Sequence, residues 1–175
     1  MAFINIEIKA RTKDPGRVRA LLLKNNADFI GIDQQTDTYF NVPAGRLKLR
    51  QGPIENSLIY YTRTNQAGPK QSNCEVWPAP DSDGLKRILE NSLGILVTVT
   101  KTREIYFIDN IKFHIDIVKE LGQFIEIEAS NKTADIPKEQ LEEQCRRYIA
   151  LFGIEDHEMI DVSYSDMLLE RFNEN

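Results

Sequence analysis

The residues of this 175-residue chain best suited to chemistry are charged side chains spaced two apart. Ile125-Glu126-Ile127-Glu128 alternates acid with hydrocarbon, and Glu7-Ile8-Lys9 sets an acid and a base on either side of an isoleucine. Leu47-Lys48-Leu49-Arg50, Tyr61-Thr62-Arg63 and Lys101-Thr102-Arg103 repeat the spacing with cations, and Lys112-Phe113-His114-Ile115-Asp116 mixes both signs. In an extended chain, positions i and i+2 lie on one face. Carboxylates gathered on such a face are oxygen ligands for a hard divalent cation, and Lys and Arg at the same pitch suit phosphate oxygens.

The elements that must carry these residues are strands. Period-two alternation marks Ile4–Arg11, Asp33–Asn41, Arg46–Gln51, Ser57–Thr64, Cys74–Trp77, Val97–Ile108, Ile111–Val118 and Gln123–Ala129. Asp109-Asn110 is a hairpin turn pair, and Asn65–Asn73, with Gly68-Pro69, reads as a mobile loop. Three helices interrupt them. One runs from an Asp14 cap and Pro15 to Asn26, one from Ser82 to Asn91 before Gly94, and one from Ile136-Pro137 to Phe152 before Gly153. Many hairpins with few helices predict an α+β fold with a mostly antiparallel sheet. One domain over residues 1–175 is expected at this length.

Three amphipathic helices need apolar surface to cover, and each charged strand has an apolar reverse face. Helices outside and charges inside satisfy both demands, which curls the sheet into a barrel with a polar lumen. About eight cations and four carboxylates enclosed together would be unfavourable without a ligand, because buried charges need partners. The expected ligand is therefore a polyanion with a divalent metal. On the same reasoning, truncating Arg103 should weaken polyanion binding while leaving the empty protein no less stable.

The order of Glu7-Ile8-Lys9, Asp37-Thr38-Tyr39-Phe40, Leu47-Lys48-Leu49-Arg50, Lys101-Thr102-Arg103 and Asp116 with Leu121-Gly122-Gln123-Phe124-Ile125-Glu126-Ile127-Glu128 resembles the CYTH superfamily. That superfamily holds class IV adenylyl cyclases, thiamine triphosphatases and inorganic triphosphatases. The resemblance runs from Ile4 to about Asp166 and implies an eight-stranded antiparallel tunnel, open at both ends, with about three helices packed outside. It implies Mg²⁺ or Mn²⁺ held by Glu7, Glu126 and Glu128, with Asp116 as a further ligand or its partner. It implies phosphate contacts from Lys9, Lys48, Arg50, Arg63, Lys101 and Arg103, with Lys9, Lys101, Arg103 and Asp116 as the candidate catalytic set. Arg11 and Arg46 fit the face pattern but match the family's motifs less closely. Asn5 stands where the family usually has a first glutamate, which removes one charged ligand and weakens the case for a second metal ion. The implied activity is metal-dependent hydrolysis of a nucleoside, organic or inorganic triphosphate. The alternative is cyclisation of ATP to cyclic AMP and pyrophosphate, and the third reading is a non-catalytic phosphate binder.

Other classes are disfavoured. Acidic residues outnumber basic ones, 27 to 22, where non-specific nucleic-acid binding wants a basic surface. No run approaches the ~18 apolar residues of a membrane helix, and the N-terminal residues lack a signal-peptide pattern. A cytoplasmic protein, monomeric or homodimeric and with a triphosphate-containing small molecule as its partner, is expected. Cys74 and Cys145 read as buried, His114 as a tunnel-wall or Asp-paired residue, and Trp77 as a packing residue. The segment Ser163–Leu169 is expected to close the barrel near one mouth.

Overall fold

The computed structural model describes residues 2–174. Eight strands close into an antiparallel barrel in the order β1-β5-β4-β3-β2-β6-β7-β8. They are β1 (Ala2–Arg11), β2 (Asp28–Phe40), β3 (Arg46–Gln51), β4 (Ser57–Arg63), β5 (Lys70–Pro78), β6 (Ile95–Ile108), β7 (Ile111–Val118) and β8 (Gly122–Ser130). Helices α1 (Pro15–Lys24), α2 (Ser82–Leu93), α3 (Lys138–Phe152) and α4 (Tyr164–Asn173) surround it, with a short 3₁₀ turn at Asp156–Glu158. No helix among the described residues is long and apolar enough to cross a membrane.

The core lies between the sheet and the helices. Ile6, Ile8 and Ala10 of β1, Phe113 and Ile115 of β7, and Ile125 and Ile127 of β8 are buried against Val18 and Leu22 of α1 and Leu141, Cys145, Tyr148 and Phe152 of α3. Burying large side chains on this outer face stabilises the barrel by roughly 1.5–3 kcal/mol each. Phe40 and Leu49 pack with Leu85 and Leu89 of α2 on the side of β2 and β3. The alternate residues of the same strands therefore turn inward, which delivers their charges to the lumen.

Several sequence expectations need correction. A fourth helix, α4, starts at a Ser163 cap whose hydroxyl accepts from the Asp166 amide at 3.1 Å, while the Asp166 carboxylate accepts from the Ser163 amide at 3.2 Å. This reciprocal pair closes the first turn. Strand β5 begins at Lys70, so the second half of the expected loop is paired sheet, with Lys70 opposite Glu7. Strand β2 begins at Asp28 because a register shift between Phe29 and Gly31 lets the ladder continue past the break in alternation. Trp77 is 71% exposed rather than packed. Cys74 and Cys145 are both buried and free.

The lumen is also not open at both ends. Tyr39, Val97, Val99, Val118 and Phe124 form an apolar layer at one end and pack against Tyr164 and Leu168 of α4. Tyr164 is 5% exposed, and its hydroxyl donates to Asp116 Oδ2 at 2.8 Å. Lys70 donates to the Ile160 carbonyl at 3.1 Å, tying the preceding segment across the same end. The result is a deep cup with one mouth, lined there by Phe3, Ile54, Phe107, Asn110 and Lys132.

Candidate active site

The strand registers bring the expected residues together. Glu7 lies opposite Glu128, Lys9 opposite Glu126, and His114 opposite Glu126 on the other side. Arg103 lies opposite Asp116, and Asp37 opposite Arg50. The cavity they enclose measures about 500 Å³ and is lined by Glu7, Lys9, Lys48, Arg50, Arg63, Lys101, Arg103, Glu126 and Glu128. Asn5 also lines it, with its amide 3.9 Å from Cys74 Sγ.

One cation cluster is built around a single acid on β2. Asp37, 1% exposed, accepts from Arg50 Nε and Nη2 at 2.9 Å and from Lys101 Nζ at 2.8 Å, with Lys48 Nζ at 3.2 Å. Burial alone would raise this carboxyl, but the Arg50 guanidinium and the two ammonium groups hold it well below the usual carboxylate range. Burial pushes Lys101 down to about 7 against the pull of Asp37. Arg103 grips Asp116 through Nε at 2.8 Å and Nη2 at 2.7 Å and reaches Glu126 at 3.3 Å. Asp116 thus has both oxygens engaged, by Arg103 and Tyr164. Its geometry is that of a partner to Arg103 and not of an open ligand.

Two further acids gather on β8 beside His114. Donor atoms of His114, Glu126 and Glu128 all lie within 4.8 Å of one another. His114 Nδ1 is 3.2 Å from Glu126 Oε2 and 3.8 Å from Glu128 Oε1, while Lys9 Nζ is 3.5 Å from Glu126 Oε1 and 3.8 Å from the centre of the Tyr164 ring. His114 is paired with a glutamate, not with the aspartate two residues on. Burial, with the nearby Arg103, lowers its pKa to about 3, so the ring is neutral, and its Nε2 has no protein partner. Burial pushes Glu128 up to about 7; Lys112 opposes the rise, and Glu7 and Glu126 reinforce it. A buried carboxylate crowded by two others, beside a neutral imidazole, suits a divalent cation. Glu126, Glu128 and His114, with Glu7 on the adjacent strand, are the residues fit to hold one.

Arg63 carries the most telling feature. One nitrogen, Nη1, donates to Glu7, while Nε and Nη2 are buried with no protein partner. These two N–H groups form the same edge that Arg50 and Arg103 use to grip carboxylates bidentately. An unpaired buried guanidinium edge is costly, and it matches two oxygens of a phosphate.

Some participants escaped the sequence reading. Asp37 and Glu55 add carboxylates to the four expected, so the cations of the lumen face several acids and do not form a bare cluster. Lys70 and Lys112 add cations. Lys112 was already on the face of His114, and Asp37 in the family motif, but neither had been given a role in the site. Glu55 comes from a turn and left no periodic trace. Arg46 is committed to Asp166 at 2.8 Å, and Arg11 is exposed and donates to the Leu121 carbonyl at 3.1 Å, so neither faces the cavity.

The model of the CYTH domain matches residues 4–157. The chain belongs to the CYTH family. This CYTH domain resembles a conserved hypothetical protein from Pyrococcus furiosus with a TM-score of 0.79, at 19% identity over 93% of this chain and 98% of that one. The PH1012 protein of Pyrococcus horikoshii OT3 aligns at 20% identity over 93% and 98% of the two chains, TM-score 0.77. A candidate adenylate cyclase from Vibrio parahaemolyticus aligns at 19% identity over 94% and 97%, TM-score 0.75. At these identities the likeness is one of fold. A search of curated proteins finds no match. CYTH proteins bind triphosphates and are commonly enzymes acting on them, and CYTH triphosphatases are generally metal-dependent.

Proposed function

We propose that the chain is a Mg²⁺- or Mn²⁺-dependent enzyme that hydrolyses a triphosphate bound in its lumen. The observation that carries this reading is the buried edge of Arg63, whose Nε and Nη2 lack protein partners within a cavity also lined by Lys9, Lys48, Lys101 and Arg103. Such an edge takes two phosphate oxygens, and the neighbouring ammonium groups take others. Glu126, Glu128 and Glu7 hold the divalent ion, with His114 beside them. The ion, when bound, neutralises charge on the phosphate oxygens and makes the attacked phosphorus more electrophilic. Lys9, whose pKa is lowered by burial despite the nearby Glu126, steadies the charge that grows on the leaving oxygen. Lys101 and Arg103 are kept rigid by Asp37 and Asp116, so their positive charge needs no reorganisation when the substrate reacts. Tyr164 and the apolar layer behind it exclude water from the closed end.

Cyclisation is the second reading, favoured by the mouth. Phe3, Ile54 and Phe107 offer an apolar rim that a base or ribose would cover. Purified protein incubated with ATP, inorganic triphosphate and thiamine triphosphate, each with Mg²⁺ or Mn²⁺, separates the outcomes. Hydrolysis releases orthophosphate, and cyclisation releases pyrophosphate with a cyclic nucleotide. Binding without any product would identify a phosphate-ligand module and overturn the enzymatic reading.

A further inference from the structure

The turn between β3 and β4 places one acid across the mouth of the lumen. Glu55 Oε2 accepts from Arg50 Nη1 at 3.0 Å and from Gln35 Nε2 at 2.9 Å, and Oε1 accepts from Lys112. Arg50 is on β3 and Lys112 on β7, with β2 and β6 between them in the barrel order. A side chain from a turn therefore bridges cations three strands apart. The turn is held down for this. Asp33, fully buried, accepts from the backbone amides of Ile54 at 2.9 Å and Glu55 at 3.0 Å. Two glycines permit the close approach. A Cβ at Gly31 would meet Ile54 Cδ1 at 2.8 Å, and one at Gly52 would meet the Asp33 oxygens at 2.7 Å. Burial works against ionising Glu55, but Lys112 and Arg50 hold its carboxyl far below the usual range, so it stays charged.

A carboxylate with two oxygens on Arg50, Lys112 and Gln35 does what a phosphate would do at the same place. It neutralises Arg50 and Lys112 toward the mouth of the lumen. Deeper in, Arg63 keeps an unpartnered edge. The site is thus anion-seeking inside and already satisfied outside, where its rim turns apolar at Ile54 and Phe107.

We propose that Glu55 is a specificity-determining residue: it fills the outermost anion position, so the lumen accepts a triphosphate whose outer end is an uncharged organic group and discriminates against longer inorganic polyphosphate chains. This rests on the reading of the lumen as a triphosphate site. A further phosphate at the mouth would face the Glu55 carboxylate as a like charge, with Arg50 and Lys112 already held by it and Lys132 exposed to solvent, whereas a nucleoside or similar group would cover Ile54 and Phe107.

The test is calorimetric titration of ATP and of inorganic tetraphosphate into the full chain in EDTA, which prevents turnover. It compares the native protein with Glu55→Gln and Glu55→Ala, each first checked for native circular dichroism. The native protein should bind ATP more tightly than tetraphosphate. Both variants should gain about tenfold or more for tetraphosphate while the affinity for ATP moves within about threefold. Equal gains for the two ligands, or no gain for either, would overturn the role of Glu55 while leaving the lumen a phosphate site. No binding of either ligand to any of the three proteins would overturn the triphosphate reading itself.

Discussion

Replacing Arg103 with alanine should destabilise the metal-free protein severely, contrary to what crowding of like charges alone would suggest. Arg103 is 2% exposed and holds Asp116, 0% exposed, through two hydrogen bonds of 2.8 and 2.7 Å. Truncation leaves Asp116 with only the Tyr164 hydroxyl, and breaking a buried pair on one side costs about 3–5 kcal/mol. For a chain of this size each kcal/mol lowers Tm by about 2–4 °C, so the expected drop is about 6–20 °C. The loss should depend on pH. Burial tends to raise the Asp116 pKa, and the Arg103 guanidinium reverses this to a net lowering. With the folded value depressed, the aspartate contributes stability above its unfolded pKa. Without Arg103 that sign reverses, so the gap between native and variant proteins should widen from about pH 4 to pH 8. Thermal unfolding of native, Arg103→Ala, Asp116→Asn and double-variant proteins gives the coupling, and the double variant should lose less than the two singles together. A single variant within about 2 °C of the native Tm would refute the pairing argument.

Glu126→Gln or Glu128→Gln should abolish turnover of any triphosphate substrate while the fold persists by circular dichroism; near-full activity in either would remove them from the metal site. Glu128, folded pKa about 7 against an ordinary 4.5, binds its proton more tightly when folded, so it stabilises the metal-free protein below about pH 4.5 and that contribution fades as pH rises through 7. Tm measured against pH should therefore fall less steeply over that window in Glu128→Gln. Asn5→Glu should move the Mn²⁺ dependence of activity to lower concentrations by supplying the carboxylate that the family usually has; superimposable curves would mean that position 5 does not touch the ion.

Much of this was legible in the residues because strands obey a two-residue period. The alternation in Ile4–Arg11, Arg46–Gln51 and Gln123–Ala129 assigned Lys9, Lys48, Arg50, Glu126 and Glu128 to one face, and barrel closure then brought those faces together. What escaped lacks a local signature. Glu55 meets Lys112 from 57 residues away through a turn, and no pattern announces such a contact. Lys70 sat beside Gly68-Pro69 and looked like loop. Asp37 stood out in sequence as part of a motif, but its grip on Arg50, Lys101 and Lys48 depends on the registers of three strands. The closed end depends on where α4 docks, which a capping pair at Ser163 and Asp166 specifies only in part.

The most direct test is a crystal structure of the protein soaked with inorganic triphosphate. Phosphate oxygens are expected about 2.7–3.2 Å from both Nε and Nη2 of Arg63, inside the lumen. A triphosphate bound only on the outer surface, or a lumen that stays free of it at saturating concentration with Arg63 unchanged, would contradict the account.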